Sequence, residues 1–242
     1  MITAYLETRA ALERAVHQVD ALKKGLSGSV ILGVMSTAKY FAPALVAKLR
    51  KALPDIDVIL RVGNRERIVG ALAGRELDMV IMGRPPREPV VNAMALGDHP
   101  HFLVGPPDHR LAGLANIDPA ELLSEHFVMR EPGSGTRILC TRYLDELGSG
   151  REVRATEMDS NETIKQAVIS GLGIALLSGH TMIEELRSGR LVALRAPKMP
   201  IVRQWFLVHR EDTVLRGAAR TVWDWIGQNS EMLLPKLEAH PG

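Results

Sequence analysis

The chain has 242 residues, 46% hydrophobic and 24% charged, which excludes disorder as the main description and allows a core without a disulfide or metal staple. Lys and Arg outnumber Asp and Glu only 30 to 28, too even a balance for a surface that tracks nucleic acid, and 4% aromatic residues argue against a base-stacking platform. A single cysteine, Cys140, with no Cys/His zinc spacing, points to a reducing cytoplasm.

Residues 1–26 carry apolar side chains at Leu6, Leu12, Val16, Val19, Leu22 and Leu26, a one-sided helix that Gly25, Ser27 and Gly28 bring to an end. It reads either as a surface helix packed on its own domain or as a connector and dimerisation helix. With Glu7 and Arg9 it lacks the apolar centre of an export signal. The most apolar stretch, 171–177, is far short of the ~20 residues of a membrane helix.

A strand is expected over 29–35, a helix from Pro43 through Leu53, a strand over 57–62, a helix around Ile68, Val69 and Leu72, and a strand over 79–82. This β-α-β-α-β order is that of a parallel sheet covered by helices. Residues 85–107 read as an irregular, proline-rich crossing with one short strand at 101–104. The pattern then restarts: strands at 127–129, 153–158, 174–177 and 191–194, and helices around 138–147, 161–169 and 182–186. The last strand, 204–208, and the helix 218–226 are expected to return to the first domain, so two segments cross between the halves.

In open α/β sheets ligands sit outside the carboxyl ends of the strands. Five loops fall there: Ser36 and Thr37; Gly63 and Asn64; Gly83 and Arg84; Gly133, Ser134, Gly135 and Thr136; Ser160 and Asn161. Helix N-termini offer unpaired N–H groups and partial positive charge, and glycines admit close approach, so two facing halves make an anion-tolerant cleft. Arg84 is the best single charge for a carboxylate or phosphate. Each feature has a plainer reading: Ser36, Thr136 and Ser160 as N-caps, Glu162 as half of a capping box, Arg84 as a solvated hinge residue. Arg137 and Lys165 add field or face water, and Glu184 with Glu185 lies on a solvated helix face. The chain shows no nucleophile elbow and no metal cluster beyond the pair His99 and His101, and Cys140 sits inside an amphipathic helix. No catalysis, cofactor or metal is called for.

These segments resemble the effector-binding region of LysR-type transcriptional regulators over essentially all of residues 1–230. The resemblance is carried by Ser36-Thr-Ala38, Val62-Gly-Asn64, Glu76-Leu-Asp78 and Gly171-Leu-Gly-Ile174. Met82-Gly-Arg-Pro-Pro86, Arg130-Glu-Pro-Gly-Ser-Gly-Thr-Arg137 and the run 160–168 are similar to the subgroup that regulates RuBisCO operons. The resemblance implies two Rossmann-like subdomains of the periplasmic-binding-protein type: subdomain I from 27–98 and 202–232, subdomain II from 99–201. Residues 1–26 would be the end of the linker helix, the winged helix-turn-helix of longer relatives being absent from this sequence. It implies a small anionic effector, phosphorylated in many relatives, at Ser36, Thr37, Asn64, Arg84, Ser134, Gly135, Thr136 and Asn161. It implies a homodimer, a tetramer in the full-length protein, DNA contact only through the missing domain, and no membrane. The competing expectation is a stand-alone solute-binding protein of the periplasmic type.

Overall fold

The computed structural model describes Val19, residues 25–148 and residues 152–237. The helix expected over 1–26 lies outside the described residues but for Val19, Gly25 and Leu26.

Strand β1 (Gly28–Met35) lies between β2 (Ile56–Gly63) and β3 (Met79–Met82), parallel to both. Its apolar run is what a strand covered on both faces requires: Val30, Leu32 and Val34 are fully buried. Helix α1 (Ala42–Ala52) starts with Pro43 in its first turn and buries Leu45 and Leu49. Helix α2 (Arg65–Ala73) buries Ile68 and Leu72, and the Asn64 side chain caps it by accepting from Arg67 N at 3.1 Å.

Residues 85–107 are not a mostly irregular crossing. They contain β4 (Val91–Gly105), fifteen residues long, which pairs antiparallel with β9 (Ile201–Arg210) from Val91↔Arg210 to His101↔Ile201. The sequence hid this strand for two reasons. Gly97 follows a register shift and Pro100, opposite Val202, removes a donor, both of which read as breaks. The strand also passes between two cores: Leu96 packs into one and Leu103 into another, so no single alternation spans it.

Beyond the crossing, β5 (His126–Arg130) runs parallel to β6 (Arg154–Met158) and joins β7 (Ala175–Ser178) through the bridge Phe127↔Ile174. In turn β7 and the short β8 (Val192–Ala193) pair antiparallel with β4. Helices α3 (Pro119–Leu123), α4 (Gly135–Gly148), α5 (Asn161–Ile169) and α6 (Ile183–Arg187) belong to this half. Helix α7 (Gly217–Gln228) returns and buries Val222 and Ile226 in the first core, as expected. The long sheet has the order β2-β1-β3-β9-β4-β7. One hydrophobic cluster draws on residues 30–96 and 205–233, and two others lie within 103–196. Among the described residues no helix is long and apolar enough to cross a membrane.

The parallel approach of β5 to the start of β7 demands glycine at 173. A Cβ there would overlap the His126 carbonyl oxygen, a backbone atom that cannot move without breaking the bridge. Gly173→Ala is expected to destabilise the protein by about 1–3 kcal/mol. Chemical denaturation of the two proteins side by side checks this, and an unchanged midpoint contradicts it.

Candidate functional site

The ends of β1, β3 and β5 meet around a cavity of about 770 Å³ between the two halves. Six of the eight expected residues line it: Ser36, Thr37, Arg84, Ser134, Gly135 and Thr136. Gly135 and Thr136 form the first turn of α4, so Thr136 is not an N-cap. Ile138 N is bonded to the Ser134 carbonyl, and the amides before it have no intrahelical acceptor. Free N–H groups at the start of a helix are the kind of group that can hold an anion.

The rest of the lining is cationic, from the first half (Arg65, Arg84 and Arg87), from β9 (Arg203) and from α4 itself (Arg142). No Asp or Glu is among the lining residues. Arg65 Nη1 donates to the Arg84 carbonyl at 2.6 Å, which fixes the turn after β3. Burial first, and then the nearby Arg84 charge, lowers the Arg65 pKa from its ordinary value. Two guanidiniums that disfavour each other gain when an anion comes between them.

Asn64 and Asn161 do not line the cavity. They belong to a network beside it, built around a residue that the sequence motif contained but to which no role was given. Arg130 is buried and forms a two-pronged pair with Glu131: Nε to Oε2 at 2.7 Å and Nη2 to Oε1 at 2.9 Å. Its Nη1 donates to Asn161 Oδ1 at 2.6 Å, and both terminal nitrogens reach Ser36 Oγ at 3.3 Å. Asn64 Nδ2 donates to Glu131 Oε1 at 3.2 Å, and Glu66 N donates to the Gly133 carbonyl at 3.1 Å. Ser36 and Asn64 belong to the first half, and Arg130, Glu131 and Gly133 to the second. The network therefore latches one side of the cleft shut. A charged pair ending an apolar strand, as Arg130-Glu131 does, was the available signal.

A second latch lies alongside. Tyr40 Oη donates to Glu162 Oε2 at 2.9 Å, and Lys165 Nζ stands 4.9 Å from the Tyr40 ring centroid. Glu162 is thus no capping-box partner. Ser160 caps α5 alone, accepting from Glu162 N, because the helix starts one residue later than a box from Asp159 requires. Nor does Lys165 simply face water: it is buried and bonds Glu185 Oε1 at 2.8 Å, so Glu185 is not on a solvated face, unlike Glu184. A buried ammonium needs a buried carboxylate, and the two sites specify each other.

Histidines cluster at the crossing strands: His99 and His101 line the cavity from β4, and His180 follows β7. His99 stacks on Trp205 with ring centroids 3.8 Å apart, and His101 and His180 lie close by. Burial, and for His99 and His101 neighbouring positive charge too, lowers all three pKa values, that of His101 to about 4. Among the described residues no group of three His, Cys, Asp or Glu is placed to hold a metal. Burial pushes the Cys140 thiol up to about 12, which leaves it a packed, unreactive side chain.

Two predictions follow from these charges. Lys165→Met strands the Glu185 carboxylate and should cost about 3–5 kcal/mol, whereas the double change Lys165→Met with Glu185→Leu should recover most of it. Denaturant melts of the three proteins measure this, and an equal loss in both variants would contradict it. Acid should also loosen the fold in two stages. The three histidines have lowered folded pKa values, so the unfolded chain binds more protons below 6.5 and stability falls as pH drops from there. Burial pushes Glu131 and Glu162 up, but Arg130 and Asn64 on the first, and Tyr40 and Lys165 on the second, outweigh it and hold both low. Their contribution is lost below the ordinary value of 4.5. Thermal midpoints measured from pH 7 to pH 3 should fall throughout, less steeply at the acid end in Glu131→Gln.

Comparison with known proteins gives one consistent answer. Residues 23–231 match the LysR substrate binding domain. The chain is 55% identical over 228 residues to the HTH-type transcriptional regulator CbbR of Cereibacter sphaeroides, covering 94% of this chain and 74% of that protein. It is 41% identical over 243 residues to CbbR of Xanthobacter flavus, covering 100% and 73%. Among solved structures, the Synechocystis PCC6803 CcmR regulatory domain in complex with 2-PG superposes with a TM-score of 0.80 at 35% identity, covering 85% of this chain and 98% of that one. The fold is thus the two-lobed α/β type of LysR regulatory domains, like that of periplasmic binding proteins, and the chain belongs to the LysR substrate-binding domain family.

Proposed function

We propose that this chain is the effector-sensing region of a LysR-type regulator of RuBisCO-operon genes, and that a small phosphorylated anion is its signal. The observation that carries this reading is the cavity lining: five arginines, no carboxylate, and a helix N-terminus on the half opposite Arg65, Arg84 and Arg87. A phosphate satisfies both walls at once, by charge on one side and by backbone N–H groups on the other. The relatives support the gene class, one being named CbbR at 55% identity and another RuBisCO operon transcriptional regulator at 44%. CcmR, solved with 2-PG, supports the ligand class. A stand-alone solute-binding protein is the weaker reading, because these relatives are transcriptional regulators.

On this reading Ser36, Thr37, Arg84, Ser134, Gly135 and Thr136 touch the effector. Asn64 and Asn161 act through the latch. Subdomain I comprises 27–98 with 202–232 and subdomain II 99–201, hinged on the crossing strands. The effector shifts the population of hinge angles by its difference in affinity for them. The changed angle is passed to a partner subunit in a cytoplasmic homodimer, a tetramer in the full-length protein, and so to the spacing of DNA-binding heads.

Calorimetric titration with ribulose 1,5-bisphosphate, 2-phosphoglycolate, phosphoenolpyruvate and NADPH tests it. At least one should bind, and Arg84→Ala should weaken that binding by roughly tenfold or more, the worth of a charged hydrogen bond. Equal affinity in both proteins would remove Arg84 from the site.

A further inference from the structure

Past α7 the chain turns at Ser230–Met232 and runs on to residue 237 without helix or strand. Its start is tied to the first half. Lys48 Nζ, on α1, donates to the Met232 carbonyl at 2.6 Å, and Leu233 is buried in the first core. Its far end lies on the second half. The Pro235 carbonyl stands 3.2 Å from His180 Nε2, and a Cβ on Gly179 would come within 2.7 Å of Leu237 Cδ1. In between, Leu234 covers Gly97 on β4, where a Cβ would stand 2.9 Å from Leu234 Cδ1. Terminal segments stay in place only where they are tied down, and this one is tied to both halves.

The points it touches are parts of the hinge. Gly97 follows the register shift of β4 against β9 and lies opposite Trp205. Trp205 Nε1 can only donate, and it donates to His180 Nδ1 at 3.1 Å. The neutral His180 ring therefore carries its proton on Nε2 and donates it to the Pro235 carbonyl. Two hydrogen bonds in series thus join the hinge tryptophan to the segment. Gly97 and Gly179 have no side chain to hold Leu234 and Leu237 away, so both leucines reach the backbone beneath them.

Strands β4 and β9 are paired along their length and can twist as one ribbon. A connection that leaves the ribbon and grips both halves resists that twist. Residues 233–237 reach at most ~3.3–3.6 Å each, so the segment cannot follow a wide separation of its ends. On the second half it holds by packing and a hydrogen bond alone, so it can also let go. Residues 232–237 are absent from the cavity lining, so this grip is separate from the anion site.

We infer that residues 233–237 are a strap, a third connection across the hinge, which holds the halves at one angle by seating Leu234 on Gly97 and Leu237 on Gly179 and must lift for that angle to change.

The test measures the angle directly. Lys51→Cys and Asp145→Cys place spin labels on exposed helix residues of opposite halves, and the buried Cys140 does not compete for them. Electron double resonance gives the distance distribution in the otherwise unaltered chain, in Leu237→Asp and in the double variant Leu234→Asp with Leu237→Asp. The unaltered strap should give one narrow distribution. Both variants should widen or move it by roughly 2 Å or more, the scale of hinge rearrangements. An unchanged distribution in either variant overturns the strap. A control pair within the first half, Lys51→Cys with Arg67→Cys, should give the same distance in all three chains. A change of similar size in that pair means that the half itself has loosened, and it overturns the inference as well.

Discussion

The antiparallel pairing of β4 with β9 is the constraint on which the rest of this molecule depends. The two strands are shared by both halves, and their ladder runs from Val91↔Arg210 at one end to His101↔Ile201 at the other. Any change in the angle between the halves must be absorbed along that ladder. Its weak points are the register shift between Ala95 and Gly97 and the missing donor at Pro100, both between the two cores. Trp205, fully buried and opposite Gly97, fills the junction there, with Phe41 edge-on at 5.2 Å and His99 stacked on it. The hinge is therefore packed with rigid aromatic rings and not with flexible chains. Such a junction favours a few discrete angles over a continuum.

The charges around the cleft divide into two groups. On the latch side every formal charge has a partner: Arg130 with Glu131, Lys165 with Glu185 and Glu162. On the cavity side the guanidiniums of Arg65 and Arg84 face one another across a turn with no carboxylate among the lining residues. The latch-side pairs lie within the second half, and the halves are held together there by hydrogen bonds between Ser36, Asn64 and Tyr40 on one side and Arg130, Glu131 and Glu162 on the other. The cavity-side arrangement holds a repulsion that only an added anion relieves. Placing both arrangements on the same cleft makes ligand charge a variable to which the hinge can respond.

Much of this was legible in the sequence, and the exceptions share a cause. The parallel strands were readable because each is covered on both faces and so appears as an unbroken apolar run, as in Val30 to Val34. Ser36, Arg84 and Ser134 to Thr136 were readable because strand ends followed by small or polar residues have one place to go in an open α/β sheet. The long β4 was not, because it changes cores halfway. Arg130, Glu131 and the Lys165–Glu185 pair were not, because local pattern cannot reveal which distant charge answers a buried one. Residue pairs 20 apart, like Lys165 and Glu185, or 122 apart, like Tyr40 and Glu162, are set by topology alone. Lys165 reads from the sequence only as adding field or facing water for the same reason.

The geometry also says what kind of contact can drive a switch. A ligand held by Arg65 and Arg84 alone touches one half and gains the same energy at every hinge angle, so it binds without moving anything. A ligand held only by Ser134, Gly135 and Thr136 has the same defect from the other side. Coupling requires one molecule to reach both walls, because only then does its contact energy depend on their separation. The cavity provides those two walls on opposite halves, with His99 on the strand that joins them. The latch is carried by the bonds of Arg130 to Ser36 and of Asn64 to Glu131 across the halves, while the Arg130–Glu131 pair within one half balances its own charge, so the charge an added anion can rebalance lies on the arginine side. A short anion that reached only one wall would occupy the site as a competitor, and its affinity would reveal nothing about its ability to signal.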